Sequence, residues 1–152
     1  MNIKSKPNII VFFTDQQRWD TSSLHGNPLS LMENFDHYAV EGTHLYNSFT
    51  CQPVCGPARA SLQSGMYATK TGCFKNRIPL KKNIKTLAKH LSKEGYATGY
   101  IGKWHLGSSE PVKKEDRGGY DYWLGSNLLE FTSDAYETYV YDGQNKKVFL
   151  PG

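Results

Sequence analysis

Two short apolar stretches mark the positions where the chain is expected to form buried strands. The stretch Ile9–Phe13 is β-branched and aromatic throughout, and it runs directly into the polar residues Thr14 and Asp15. Residues 96–102, with the sequence YATGYIG, form a second stretch of this kind. Continuous apolar runs of this length are typical of strands buried on both faces of a parallel sheet. An alternating segment at 43–50 predicts a further strand.

Three segments carry helical patterns. A short helix is predicted at 32–41, and another at 57–64, where Pro57 suits the first helical turn and Gly65 suits a helix stop. The clearest helix is predicted over 83–95, because its apolar residues recur at helical spacing and it ends in a glycine. Those apolar residues are Ile84, Leu87, Ala88 and Leu91.

The order of these elements is strand, helix, helix, strand, which favours an α/β domain built on a parallel sheet. Residues 111–119 are interpreted as a polar loop, and 136–150 as a β-hairpin whose turn starts at Asp142 and Gly143. The 152 residues contain no repeats or low-complexity tracts. We therefore expect residues 1–152 to belong to a single domain.

The composition is that of an ordinary globular protein, with 38% hydrophobic and 21% charged residues and a net charge of +4. From Lys70 to Lys93 the chain carries eight basic residues and no acidic one. Such a run is typical of a solvated helix face, and the alternative is a surface that attracts anionic substrates. No aromatic residues alternate with the lysines of the predicted third helix, so nucleic acid is not expected as a partner.

Cysteine usage and hydropathy bear on the compartment. The three cysteines, Cys51, Cys55 and Cys73, are too few and too unevenly spaced to indicate a disulfide framework. The run Ile9–Phe13 is too short for a signal-peptide core or a membrane span. The chain as written is therefore expected to be cytoplasmic and without a membrane partner, although an upstream segment would reverse the first expectation.

Cys55 stands just before the helix that Pro57 is predicted to begin. A thiol at a helix N-terminus faces unpaired backbone N–H groups and the positive end of the helix dipole. Arg59 follows four residues later and so falls on the same face. Both features favour a reactive thiolate. The alternative is a small cysteine packed at the helix end, and the spacing alone leaves both interpretations open.

Two further pairs follow the predicted strands. Lys103 and His105 come directly after 96–102, and they share a face if that strand continues, which suits an anionic substrate. Asp15 and Gln16 close the first strand, where hard oxygen ligands could hold a divalent cation. The ordinary alternatives are a surface lysine with a histidine at the core edge, and an aspartate that caps a helix or a turn.

A zinc site is the other metal centre that the residue types suggest. Its ligands would be His37, His44, Cys51 and Cys55. Their spacing matches no familiar zinc pattern, so no zinc site is predicted.

Three blocks of the sequence resemble the sulfatase family, in the order that the family has them. Cys55-Gly-Pro-Ala-Arg59, followed by Gly65, resembles the sulfatase signature Cys-x-Pro-x-Arg with its downstream glycine. NIIVFFTDQQR at 8–18 and GYATGYIGKWHLG at 95–107 resemble two further blocks, and GGYDYW trails the second of them as it often does in the family. Together the blocks cover about the first two-thirds of the chain.

The resemblance implies an alkaline-phosphatase-like α/β fold with a mostly parallel central sheet flanked by helices, and the activity of a sulfuric ester hydrolase. In that family a formylglycine-generating enzyme oxidises the signature cysteine to formylglycine (3-oxoalanine), whose hydrate attacks sulfur and then expels sulfate. Residue 55 would accordingly be the nucleophile, held and polarised by Arg59. Lys103 would neutralise the sulfate oxygens, and His105 would help to remove the proton of the second hydroxyl.

The resemblance also implies a divalent metal, Ca²⁺ first and Mg²⁺ or Mn²⁺ as alternatives. Asp15 and residue 55 would be ligands. Gln16 would be another, at a position where many members carry a second aspartate. Cys51 and Pro53 begin a second copy of the signature, but its arginine position is occupied by Cys55, so Cys55 is the better match.

Sulfatases that resemble this chain are considerably longer, and they take further metal ligands and a leaving-group acid from later segments. The chain is therefore expected to be the N-terminal portion of a sulfatase-type domain, incomplete on its C-terminal side, inactive or nearly so alone, and able to oligomerise. The expected partners are a small-molecule or saccharide sulfate ester and the formylglycine-generating enzyme. The alternatives are a phosphonate or phosphate ester hydrolase of the same fold, and a non-catalytic binding module with an unmodified Cys55.

Overall fold

The computed structural model describes residues 6–134 and 136–150, and the chain falls into two compact units, 1–48 and 49–152. The helices of the described residues are α1 (Glu33–Glu41), α2 (Cys55–Ser64), α3 (Ala68–Thr71) and α4 (Leu87–Lys93). The strands are β1 (Gly99–Lys103), β2 (Tyr122–Ser126), β3 (Tyr139–Tyr141) and β4 (Lys147–Phe149). Short 3₁₀ turns cover Trp19–Thr21, Ser23–His25, Lys114–Asp116 and Leu129–Phe131. Over these described ranges no helix has the length and apolar character needed to cross a membrane.

The first unit has little buried interior. Among residues 6–48, Ser22 is the one fully buried residue. The carboxylate of Asp36 on α1 accepts hydrogen bonds from the Ser22 hydroxyl and the Ser23 N–H. The bond from Ser22, followed by the one from Ser23, holds the pKa of Asp36 below its ordinary value despite some desolvation. Polar contacts thus tie α1 to the 3₁₀ turn Ser23–His25.

The strand predicted for Ile9–Phe13 is wrong, because these residues adopt no regular structure. Their side chains are largely exposed, at 90% for Ile10 and 91% for Phe12. The strand predicted over 43–50 is also wrong, since that segment consists of bends and irregular backbone. High β-propensity does not make a strand by itself, because a strand needs a neighbouring strand to bond and a surface to pack on.

The sheet lies in the second unit, in the order β1-β2-β3-β4. β1 and β2 run parallel, from Gly99 opposite Tyr122 to Lys103 opposite Ser126. β3 pairs antiparallel with β2 and with β4, so the hairpin predicted over 136–150 is confirmed. The parallel pair brings the carboxyl ends of β1 and β2 to the same edge of the sheet.

A cluster of aromatic rings forms the core of the second unit. Trp104 is fully buried, with its ring 5.6 Å from that of Trp123 and 4.9 Å from that of Tyr100. Gly118 has a φ of +66°, and a Cβ there would lie 2.8 Å from the Trp104 ring, so glycine is required on both counts. The buried members of the cluster are Ala60, Cys73, Leu80, Trp104, Leu106, Val112 and Trp123.

The predicted helices are present, but their limits differ. α1 confirms the helix predicted at 32–41. α2 begins at Cys55 rather than at Pro57, so Cys55 lies inside the helix it was expected to precede. α4 is shorter than the predicted 83–95 because the Thr86 side chain accepts the Lys89 N–H and so caps the helix there.

The strand predicted at 96–102 is present but shifted. β1 starts at Gly99 and ends at Lys103, and only its last residue is buried. Ile101 is 72% exposed, so this strand is not buried on both faces within the chain. The polar loop predicted at 111–119 contains one 3₁₀ turn and the buried Arg117, which donates to the carbonyl oxygens of Val112 and Gly143.

Candidate active site

Cys55 is the first residue of α2, and its half-buried thiol is free of any disulfide. The N–H of the next residue, Gly56, donates to Oδ1 of Asn76 at 2.8 Å. A Cβ at Gly56 would lie 3.1 Å from that oxygen and 3.6 Å from the carbonyl oxygen of His105. Residue 55 therefore stands at a closely packed helix start, next to the segment that carries His105.

Arg59, one turn further along α2, is only 7% exposed. Its Nη1 donates to the carbonyl oxygen of Lys103 at 2.6 Å, and the Tyr100 hydroxyl donates to the same oxygen. A buried guanidinium is costly unless it is hydrogen-bonded, so this bond holds α2 against the end of β1. The structure thus joins two of the predicted site residues, Arg59 and Lys103.

Lys103, the last residue of β1, forms an ion pair with Glu130. The Lys103 side chain is 4% exposed, whereas that of Glu130 is 56% exposed. Burial raises the pKa of Glu130, but the hydrogen bond from Lys103 and the charges of Lys103 and His105 more than offset it, so the pKa lies below its ordinary value. An ionised carboxylate therefore stands beside the buried ammonium at neutral pH.

His105 lies two residues beyond the end of β1. Its φ of +59° takes the chain out of the strand, so the prediction that a continuing strand aligns Lys103 and His105 is wrong. The backbone still follows β2, because the His105 N–H donates to the carbonyl oxygen of Asn127 at 2.8 Å. His105 is 7% exposed, and its backbone bond to Asn127 places it at this edge of the sheet.

Asp15 and Gln16 belong to the first unit and are exposed. Oδ1 of Asp15 accepts the backbone N–H of Gln16 at 2.9 Å. Among residues 6–134 and 136–150, no group of three or more His, Cys, Asp or Glu side chains is arranged to hold a metal ion. The described residues therefore offer oxygen ligands suited to a hard cation but do not make up a complete metal site.

Three of the four residues considered for a zinc site, His37, His44 and Cys51, make other contacts. His37 lies 3.6 Å from Glu41, and His44 meets His25 through their Nε2 atoms at 3.0 Å. The Cys51 thiol donates to the Ser61 hydroxyl at 2.8 Å.

Sequence reasoning missed Glu130 and Asn76. Asn76 contacts the start of α2 from a loop and follows no motif, so no signal could have found it. Glu130 lies four residues beyond the end of β2, in the 3₁₀ turn Leu129–Phe131, and the residues that follow parallel strands are where α/β sheets present ligand-binding groups. Predicting β2 from the sequence would have pointed to it.

Two residues of the basic run between Lys70 and Lys93, Lys82 and Lys89, make local contacts. The Lys89 ammonium donates to the carbonyl oxygens of Lys82 and Ile84, both at 2.9 Å. Lys82 lies 3.6 Å from Glu115. These contacts favour the solvated-surface interpretation over a dedicated anion-binding surface.

Comparison with known proteins gives a consistent result. A family model described as Sulfatase matches residues 7–151. An ulvan-active sulfatase of Formosa agariphila is 37% identical over 147 residues, which are 95% of this chain and 28% of that protein. The sulfatase YidJ of Escherichia coli is 39% identical over 132 residues, which are 82% of this chain and 26% of that protein. The chain thus spans roughly a quarter of the length of these relatives.

Solved structures agree on the fold. A protein crystallised with its substrate D-glucosamine-2-N,6-O-disulfate superposes with a TM-score of 0.82 at 28% identity, covering 97% of this chain and 28% of that one. This match confirms the predicted α/β architecture, of which the chain supplies one part.

Proposed function

Since the chain belongs to the sulfatase family, we propose that it provides the anion-binding side of a site that hydrolyses sulfate monoesters. The observation that carries this proposal is the bond from the buried Arg59 to the Lys103 carbonyl. It fixes the start of α2, with residue 55, relative to a strand end that carries a buried ammonium. Two cations next to a nucleophile position are what an anionic ester requires.

Each side chain then has a definite task. Residue 55 is the nucleophile, and as formylglycine it supplies a hydrated aldehyde that attacks sulfur with one hydroxyl and releases sulfate with the other. Arg59 holds and polarises residue 55. Lys103 balances the charge on the sulfate oxygens, and His105 takes up or returns a proton at the second hydroxyl. Net hydrolysis adds one water and breaks one ester S–O bond, giving an alcohol and sulfate.

A divalent cation, Ca²⁺ first and Mg²⁺ or Mn²⁺ as alternatives, would be held by Asp15, Gln16 and residue 55. Carboxylate and amide oxygens are ligands that these hard cations prefer. The cation would lower the pKa of the bound hydroxyl and neutralise the sulfate. Because the described residues do not complete such a site, we expect the 152-residue chain alone to bind the cation weakly and not to turn over.

The substrate class is a sulfated saccharide or a small sulfate ester. The support is the structural neighbour bound to a disulfated glucosamine and a 34% identical relative named N-acetylglucosamine-6-O-sulfatase. The other partner is a formylglycine-generating enzyme, which would act on Cys55 within Cys-Gly-Pro-Ala-Arg.

The test uses the complete protein that contains this chain, produced with a formylglycine-generating enzyme. We expect hydrolysis of an aryl sulfate, and an intact mass lowered by the difference between a CH₂SH and a CHO side chain at residue 55. Cys55→Ala should remove turnover, by a factor of about 10⁴ or more, as for other covalent nucleophiles.

Cys51→Ala is the matched control, since Cys51 also precedes a proline by two residues, and it should keep activity within about threefold. Hydrolysis of a phosphonate monoester but not of the sulfate would instead assign the phosphonate activity. A fully unmodified Cys55 together with no hydrolysis would assign a binding module.

A further inference from the structure

The end of β1 is surrounded by a negative charge as well as by positive ones. Arg59 and Lys103 each bring one positive charge, and Glu130 takes one away through its ion pair with Lys103. A site intended only to attract anions would not place a carboxylate on its buried lysine, because that carboxylate competes with and repels the incoming anion.

We propose that Glu130 is a specificity-determining residue: its carboxylate, paired with Lys103, tunes the anion site to accept singly charged sulfate esters and to disfavour doubly charged anions. The inference rests on the proposed function, because it assumes that the ester's sulfate group binds at Lys103. The ligand class is a monoanionic ester, and the anions disfavoured are phosphate monoesters and the product, inorganic sulfate.

The physical basis is charge balance. A sulfate monoester carries one negative charge, whereas a phosphate monoester carries roughly 1.5 to 2 at neutral pH. With Glu130 ionised, the charge around Lys103 is one unit less positive than it is without the carboxylate, whatever His105 and a bound cation add. The repulsion from Glu130 grows in proportion to the charge of the bound anion, so it acts most strongly on dianions.

The geometry separates this role from a packing role. The Glu130 side chain is 56% exposed, whereas its lysine partner is 4% exposed. Replacing Glu130 therefore leaves no cavity. The turn that carries it is held by other groups, because the Thr132 hydroxyl donates to the Ser126 hydroxyl at 3.0 Å and both residues are buried. Charge is what changes when the carboxylate is removed.

The first experiment compares 4-nitrophenyl sulfate and 4-nitrophenyl phosphate, which share a leaving group, in the complete, formylglycine-containing protein. Glu130→Gln should lower the ratio of kcat/KM for sulfate over phosphate about tenfold, as expected for removing one like charge near a bound anion. It should also lower the inhibition constant of inorganic sulfate by more than it lowers the KM of the sulfate ester. Glu130→Asp, which keeps the charge, should restore most of the ratio.

Glu115→Gln is the matched control, because Glu115 makes a surface pair with Lys82 at 3.6 Å and its loss changes the net charge equally. It should leave the ratio within a factor of two. An unchanged ratio in Glu130→Gln, or an equal shift in both glutamine variants, would overturn the inference while leaving sulfatase activity intact.

A second experiment tests the inference by anion binding, without measuring turnover. In the 152-residue chain, NMR titrations compare methyl sulfate, which has one charge, with inorganic sulfate, which has two. Glu130→Gln should strengthen inorganic sulfate binding several-fold more than methyl sulfate binding. If the complete protein hydrolyses no sulfate ester but this difference is seen, the proposed function fails and the charge selection stands. Equal strengthening of both anions overturns the charge selection.

Discussion

The two units of the chain differ in whether their apolar side chains are buried. In the second unit, Trp104 and Trp123 are buried together, and the polar groups of the candidate site are fixed around them. In the first unit, the apolar run Ile9–Phe13 is exposed. Elsewhere in that unit, hydrogen bonds such as the one from Ser22 to Asp36 join the turns to α1.

This difference has a consequence for the site. The proposed anion-binding residues Arg59, Lys103 and His105 lie on a packed core and are each at most 7% exposed. The metal-ligand candidates Asp15 and Gln16 follow a segment with no such core, and they are exposed. Charged groups keep a fixed position only in rigid surroundings, so the proposed anion-binding residues are held in place and the metal-ligand candidates are not.

The largest expected effect is on the aromatic core. Trp104→Ala removes a fully buried ring and its Nε1 hydrogen bond to the Asp116 carbonyl, and should cost the chain about 3–5 kcal/mol in free energy of unfolding. Phe12→Ala, the matched change in the first unit, should alter it by no more than about 0.5 kcal/mol. Urea titration of the chain measures both. Equal losses in the two variants would remove the contrast between the units.

A smaller effect on the free energy of unfolding is expected when the pH is lowered. The backbone and hydroxyl hydrogen bonds from Thr98 hold the pKa of Asp121 below its ordinary value, and the bond from Ser22 does the same for Asp36 in the first unit. A lowered carboxyl pKa stabilises the folded state above the unfolded pKa, and this stability is lost as pH falls through the folded value, below about pH 4.

Asp121→Asn and Asp36→Asn should each reduce the acid sensitivity of unfolding, whereas Glu137→Gln, an exposed carboxyl, should not. Urea unfolding at pH 7 and at pH 3.5 gives the comparison. An acid sensitivity as large in Asp121→Asn as in the unaltered chain contradicts the assigned hydrogen bonds.

The smallest expected effect is at Asp15. Within residues 6–134 and 136–150 this exposed side chain is not part of a complete metal site, so Asp15→Asn should leave the unfolding free energy of the chain unchanged. Ca²⁺ titrated up to about 1 mM should bind neither form to saturation, since weak sites lie in that range. Saturable calcium binding that Asp15→Asn abolishes would show that the chain already forms a working metal site.

Local patterns in the sequence determined several features of the fold. α1 and the hairpin at 136–150 follow from periodicity and turn residues, because helices and tight hairpins are stabilised by contacts between near neighbours. The signature Cys55-Gly-Pro-Ala-Arg59 placed Arg59 on a helix and Cys55 just before it, whereas the helix itself begins at Cys55. The family could also be identified from the sequence, because its motifs are short and contiguous.

The tertiary structure alone decided the features that depend on contacts between segments distant in the sequence. Whether Ile9–Phe13 becomes a strand depends on a partner strand, which the segment's own composition cannot supply. The bond from Arg59 to the Lys103 carbonyl spans 44 residues, and the Lys103–Glu130 pair spans 27. Burial, ion pairing and the charge of a site are properties of the packed chain, because they are set by whichever groups folding brings within a few ångströms of one another.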